Sequence, residues 1–135
     1  LTMFAQPAFR LLEKGLDAAA LRQRVIANNV ANVDTPMFKR SDVSFEDLLN
    51  QQLGAQAPLQ GLRTDPRHIP IGPQNQFPSP VIVTDTQSVM NNNLNNVDID
   101  YEMASMAANQ LRYNVMVQEI SSELKRVQTA LDGRA

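Results

Sequence analysis

Near the start of the chain, Phe9, Leu12, Leu16, Ala19, Gln23, Ile26, Val30 and Val33 follow one another at alternating intervals of three and four residues. That spacing lays one stripe along an α-helix, the pattern of a helix built to pair with another helix. The alternation returns near the other end through Met103, Met106, Gln110, Tyr113, Val117, Ile120, Leu124, Val127 and Leu131. Two such stripes in a chain of 135 residues, each interrupted by one glutamine, constrain the fold more than any other feature.

The helix boundaries are written beside the stripes. Pro7 suits a first helical turn, where its missing N–H costs nothing. Pro36 pushes Thr35 out of the helical region. A helix from about Pro7 to Val33 would be about 40 Å long, with Gly15 as its weak point. At the other end, Asp98 or Asp100 can cap a helix, and Glu102 adds a carboxylate to its positive terminus. Lys125 and Arg126 lie near its negative terminus, and Gly133 stands where a left-handed cap would fall. This second helix is expected from about Asp100 to Leu131, about 48 Å.

Between the helices the material changes. Prolines at 58, 66, 70, 73, 78 and 80 exclude a continuous helix or a central strand. Val81 to Thr84 is the good strand candidate, and Asn91 to Asn96 reads as an exposed turn. Ser44 to Leu49 suits a short helix, with Ser44 as cap and Asp47 in the reciprocal position. The expected fold is therefore mainly α. Long N- and C-terminal helices pair as an antiparallel coiled coil, and a Pro/Asn/Gln-rich irregular middle segment carries at most short β-strands. The divisions are 1–36, then 37–99 with a short helix near 44–50 and a strand at 81–84, then 100–135.

One register for the helix pair sets Gln23 opposite Gln110, Ala19 near Tyr113 and Leu16 near Val117. The two amides then meet each other instead of facing aliphatic groups. The other reading sends both glutamines to water. Leu11, Leu21, Val25, Leu111, Val115, Met116 and Ala130 lie beside the seam and need cover that one helical hairpin does not supply. Assembly with further copies is the expected source. Met103, Met106 and Met116 sit at heptad spacing, which favours core packing over an adaptable binding groove. Arg22, Arg24, Glu119 and Glu123 lie off the seam and are expected in solvent.

Composition removes several classes of function. A net charge of −2 argues against a basic face tracking nucleic-acid phosphates, and the absence of cysteine excludes disulfides, thiolate metal sites and thiol nucleophiles. His68, the lone histidine, has Asp65 and Arg67 nearby but no nucleophile or second base at motif spacing, so it reads as structural. No cofactor, small-molecule substrate or catalytic residue is expected. No apolar run approaches a membrane span, and no basic segment followed by an apolar stretch marks a cleavable signal.

The run Val25-Ile26-Ala27-Asn28-Asn29-Val30-Ala31-Asn32-Val33-Asp34-Thr35-Pro36, followed by Phe38-Lys39, resembles the N-terminal signature of the bacterial flagellar axial rod and hook proteins. Asn95 to Met103, then Met106 to Tyr113, resembles the proximal-rod members of that family, as does the mid-chain element from Thr64 to Ile69. The resemblance implies a non-enzymatic structural subunit of the proximal rod in the flagellar basal body. Such subunits self-assemble through their terminal helices, join the membrane-ring base to the distal rod and transmit torque. Implied partners are further copies, FlgC-like rod subunits, a FliE-like adaptor, the membrane-ring base and the flagellar export gate. The implied location is outside the cytoplasmic membrane, periplasmic in a two-membrane cell, after type III export without a cleavable signal peptide. Residues 1–36 and 100–135 would be the axial core helices.

In this light, Ala27, Asn28, Asn29, Ala31, Asn32, Thr35 and Pro36 form the assembly signature. The two alanines, four residues apart, permit close helix approach. The asparagines either bond across a subunit boundary or solvate a fraying helix end. Family members commonly carry Gly after the Thr-Pro pair. Met37 stands there instead, so a type I turn or an extended exit is expected. Phe45 and Leu49 resemble an export-gate recognition element, and equally suit a small helix packing Val43, Phe45 and Leu48 onto the terminal helices. The competing functions are another rod subunit of the same family and a free-standing coiled-coil adaptor or chaperone. The adaptor would be a stable soluble helical dimer.

Overall fold

The computed structural model describes residues 7–54 and 77–133. In chain order it contains α1 (Pro7–Ala31), β1 (Ser41–Ser44), α2 (Glu46–Gly54), β2 (Val81–Thr84) and α3 (Ile99–Leu131). His68, the element from 64 to 69 and the prolines at 58, 66, 70 and 73 lie outside the described residues.

Pro7 opens α1 as its fixed φ predicts. Of the two candidate caps for α3, Asp98 takes the role, its Oδ1 accepting the N–H groups of Asp100 (3.0 Å) and Tyr101 (3.3 Å). Gly133 follows α3 at φ 64, as a left-handed cap requires. The expected cap of α2 does not form, because Ser44 is spent in β1 and the helix starts at Glu46.

α1 and α3 pack against each other in antiparallel sense, with Gly15 beside Met116, Gln23 beside Asn109 and Asn29 beside Glu102. Gly15 has a reason that its helix propensity hides. A Cβ there would lie 2.8 Å from Met116 Sδ, so the bare backbone leaves room for the Met116 side chain where the helices meet. β1 and β2 form a two-stranded antiparallel ribbon in the register Ser41↔Thr84 to Ser44↔Val81, and β1 rests on α1. The small apolar core comprises Ala18, Ala19, Val25 and Ile26 of α1, with Val43, Phe45 and Val97.

The pairing of the two helices corrects the expected register. Gln23 meets Asn109, not Gln110, which is exposed and donates to Asn114 Oδ1 at 3.2 Å. The face of α3 turned toward α1 carries Glu102, Met106, Asn109, Met116, Ile120 and Val127. Three members of the predicted stripe, Met103, Gln110 and Val117, give way on this face to Glu102, Asn109 and Met116, and Leu124 and Leu131 are exposed as well. The physical reason lies in the polar members. Glu102 and Asn109, seven residues apart on one face, find hydrogen-bond partners on α1, and unmet buried polar groups would cost more than exposed aliphatic ones.

Candidate assembly site

Where α1 ends and α3 begins, the chain ties its two signatures together. Among the described residues, the four largest fully buried side chains are Glu102, Asn29, Asn95 and Asn96, all polar and all at this end. Asn29, in the last turns of α1, exchanges hydrogen bonds with the backbone of Ser41. Its Nδ2 donates to Ser41 O at 2.7 Å and its Oδ1 accepts Ser41 N–H at 3.0 Å. The same Nδ2 donates to Glu102 Oε2 at 3.1 Å, and Arg40 Nε donates to Glu102 Oε1 at 2.9 Å. One buried carboxylate thus joins α1, the start of β1 and the first turn of α3. Burial alone would lower the pKa of Arg40, but the Glu102 bond, the Glu102 and Asp42 charges and Tyr101 outweigh it and the value is raised. The guanidinium also lies 5.1 Å from the centre of the Tyr101 ring.

Asn95 and Asn96 correct the reading of residues 91–96 as an exposed turn, which holds for Asn91, Asn92 and Leu94. Asn95 Nδ2 donates to Asn32 O (3.0 Å) and Thr35 O (2.8 Å), satisfying carbonyls freed where α1 ends. Its Oδ1 accepts Val97 N–H at 2.6 Å. Asn96 Oδ1 accepts Arg40 N–H at 2.7 Å, and its Nδ2 donates to Asp85 O and Ser88 Oγ. Lys39 Nζ donates to Ser88 O and Leu94 O, closing the same loop.

The Thr35-Pro36-Met37-Phe38 turn differs from the expected type I or extended exit. Met37 stands at φ 60, and Phe38 N–H donates to Thr35 O at 3.3 Å, as in a type II turn. Met37 N–H donates to Asn93 O at 2.9 Å, so the surrounding bonds hold a side chain in a conformation that glycine adopts freely.

The remaining signature residues divide. Ala27, Asn28 and Ala31 are exposed on α1. Asn32 Nδ2 donates to Asn28 O at 2.8 Å and Thr35 Oγ1 donates to Asn32 Oδ1 at 3.2 Å, so part of the motif finishes the helix end. Pro36 is exposed in the turn. Among seam residues, Ala19 and Ile26 are buried, while Leu12, Leu16, Gln23, Val30, Met106 and Ile120 are half-buried. Gln110, Tyr113, Val117 and Leu124 face outward. Phe45 is buried and Leu49 half-buried, with Leu49 N–H donating to Phe45 O at 2.9 Å.

Arg22 was expected in solvent. Instead its guanidinium donates to Glu46 Oε1 (2.8 Å) and Val43 O (3.0 Å), tying α2 and β1 to α1. The Glu46 hydrogen bond raises the Arg22 pKa against burial, and the same bond holds Glu46 below its usual range. Asp85 is depressed to about 2 by the Ser88 hydroxyl, then by the N–H groups of Ser88 and Gln87. Among the described residues no His/Asp/Glu group is placed to hold a metal, and no helix is long and apolar enough to cross a membrane. What the arrangement does is hold two helix ends and a connecting loop in one fixed relation.

A family model described as "Flagella basal body rod protein" matches residues 9–39, which cover α1 from its third residue and the turn after it. The chain is 38% identical over 122 residues to the flagellar basal body rod protein FlgB of Bacillus subtilis, spanning 90% of this chain and 91% of the relative. FlgB of Borreliella burgdorferi is 37% identical over 120 residues, 86% of this chain and 89% of the relative. FlgB of Salmonella typhimurium is 30% identical over 135 residues, 93% and 94%. The residues of the junction fall within a likeness that runs nearly end to end, and the chain belongs to the FlgB family of flagellar basal body rod proteins.

Proposed function

We propose that this chain is a structural subunit of the proximal rod, self-assembling through its terminal helices to join the membrane-ring base to the distal rod and transmit torque. The observation that carries the reading is the near full-length likeness to FlgB proteins. The exposed aliphatic groups of α3 support it, because Leu111, Val115 and Leu131 require cover that the described residues do not provide. Residues 1–36 and 100–135 then form the axial core, and 37–99 faces outward. Neighbouring copies, FlgC-like subunits, a FliE-like adaptor and the ring base are the proposed partners. The working location is outside the cytoplasmic membrane, periplasmic in a two-membrane cell.

Delivery to that location proceeds through the flagellar export gate. Phe45 and Leu49 are the proposed recognition pair. Since Phe45 is buried in the folded chain, recognition belongs to the unfolded chain before assembly. Phe45→Ala then lowers secretion itself, whereas normal secretion with weakened assembly contradicts the export role.

Cells lacking the chain, complemented with a tagged full-length copy, test the function. The expected result is recovery of swimming and of the chain in purified basal bodies. A chain that stays cytosolic as a soluble helical dimer, in cells that swim without it, contradicts the reading.

A further inference from the structure

Asn109 is only 2% exposed, on the face of α3 turned toward α1. Its Nδ2 is fully engaged, donating to Ala19 O (2.9 Å) and Gln23 Oε1 (3.2 Å). These bonds fix the amide orientation and leave Oδ1 without a donor, the one buried side-chain oxygen or nitrogen in that state among the described residues. A desolvated acceptor left empty is unfavourable, and a donor that reaches it once the side chains covering it move aside removes the penalty.

Asn109 lines an open cleft of about 640 Å³ bounded by α1, β1, α2 and α3. Four carboxylates and three guanidinium groups line it. Arg22 and Arg40 are already committed to carboxylates of this chain, and Arg112 reaches Glu46 only loosely at 3.7 Å. Asp47 is exposed and forms no ion pair among the described residues. An acceptor without a donor and a carboxylate without a cation together select a side chain bringing N–H groups and positive charge.

Arg24 is such a side chain. It is exposed and pairs with nothing among the described residues. Arg22 and Ile26 both line the cleft, and helical geometry places Arg24 about 180° around α1 from the midpoint between them. Ala20 and Ala27, exposed and small, flank it and permit close approach. Because Arg24 and the cleft lie on opposite sides of α1, one copy does not fill its own cleft. A contact between them is head-to-tail, and so propagates from copy to copy.

We propose that Arg24 of one copy enters the cleft of the next, donating to Asn109 Oδ1 and pairing with Asp47. The proposal rests on the rod-subunit reading and names one contact within it.

The chain contains no cysteine, so two introduced thiols report on one contact alone. Ala27→Cys marks the surface beside Arg24, and Ala108→Cys marks the cleft, where Ala108 is exposed. Basal bodies carrying the full-length double variant are oxidised and resolved by mass. The expected result is disulfide-linked dimers and longer chains from the double variant and not from either single variant. Adding Arg24→Glu lowers the linked fraction at least about tenfold. Motile cells whose double variant stays unlinked overturn the contact and leave the rod reading standing. A wild-type chain absent from basal bodies overturns both.

Charge exchange gives a second measurement without thiols. Arg24→Glu is expected to cut incorporation about tenfold, and Arg24→Glu with Asp47→Arg to recover at least half of it. Unchanged incorporation of the single variant, or no recovery in the pair, overturns the proposal.

Discussion

The two ends of the helix pair are built from opposite materials. At the junction end, Asn29, Glu102, Asn95 and Asn96 are sealed from water and hydrogen-bonded to two or three partners each. Away from the junction, the outer face of α3 exposes Leu111 (68%), Val115 and, at the far end, Leu131 (80%). Buried amides and an ion pair specify one geometry, because each broken bond leaves a desolvated group. Exposed aliphatic groups specify no geometry within the monomer and reward burial against another surface. The comparison teaches that the subunit fixes the angle at which its helices leave the junction and leaves the completion of their outer surface to assembly.

Breaking the buried carboxylate tests the first half most severely. Glu102→Ala removes the partner of Arg40 and Asn29 and is expected to cost about 3–5 kcal/mol, measured by urea unfolding of the full-length chain. A loss below about 1 kcal/mol would mean that the ion pair does not organise this end. Asn95→Ala comes next, at about 2 kcal/mol, since it strips a donor from the carbonyls of Asn32 and Thr35 and an acceptor from Val97 N–H.

Met37→Gly should act in the opposite direction. Its φ of 60 costs a side chain about 1 kcal/mol that glycine avoids, so the variant gains up to that amount, reduced by the greater freedom of glycine in the unfolded chain. A destabilised Met37→Gly would show that the methionine side chain contributes more than its backbone strain removes.

Much of the far-reaching architecture was legible in the residues. The alternating stripes gave two long antiparallel helices, Asp98 and Asp100 gave two candidate caps of which Asp98 serves, and Val81 to Thr84 gave β2. The finer error at α3 came from reading aliphatic residues as the seam. A charged residue and an asparagine define the inner face because their partners come from α1 and Arg40, and no periodicity of apolar residues encodes that. The spacing of Glu102 and Asn109, seven residues apart, was the available signal. Asn95 and Asn96 misled for a related reason, since a run of asparagines reads as a solvated turn until the carbonyls it satisfies are known. Met37 followed its neighbours' hydrogen bonds over its own preference.

The exposed outer face of α3 supplies a smaller expected change in the monomer. Leu111→Asp should shift unfolding of the free chain by no more than about 0.5 kcal/mol, because the side chain is exposed, while incorporation into basal bodies falls sharply. A large loss of monomer stability would erase the distinction between the ends.

The smallest effect is pH-dependent. Asp85 and Glu46 both have folded pKa values below their ordinary ones, so their contributions are present above the unfolded values of 3.8 and 4.5 and are lost as pH falls. Thermal unfolding followed from pH 7 to 2 should be level down to about pH 5 and then decline. Asp85→Asn should remove only the part of the decline between 3.8 and about 2.

Hydrogen exchange on the free full-length chain and on assembled basal bodies addresses the contrast between the ends most directly. The account predicts slow amides in the free chain at residues 22–30 and 102–109, with residues 117–131 exchanging fast and becoming protected only on assembly. Equal protection along the whole of α3 in the free chain, unchanged by assembly, would contradict it.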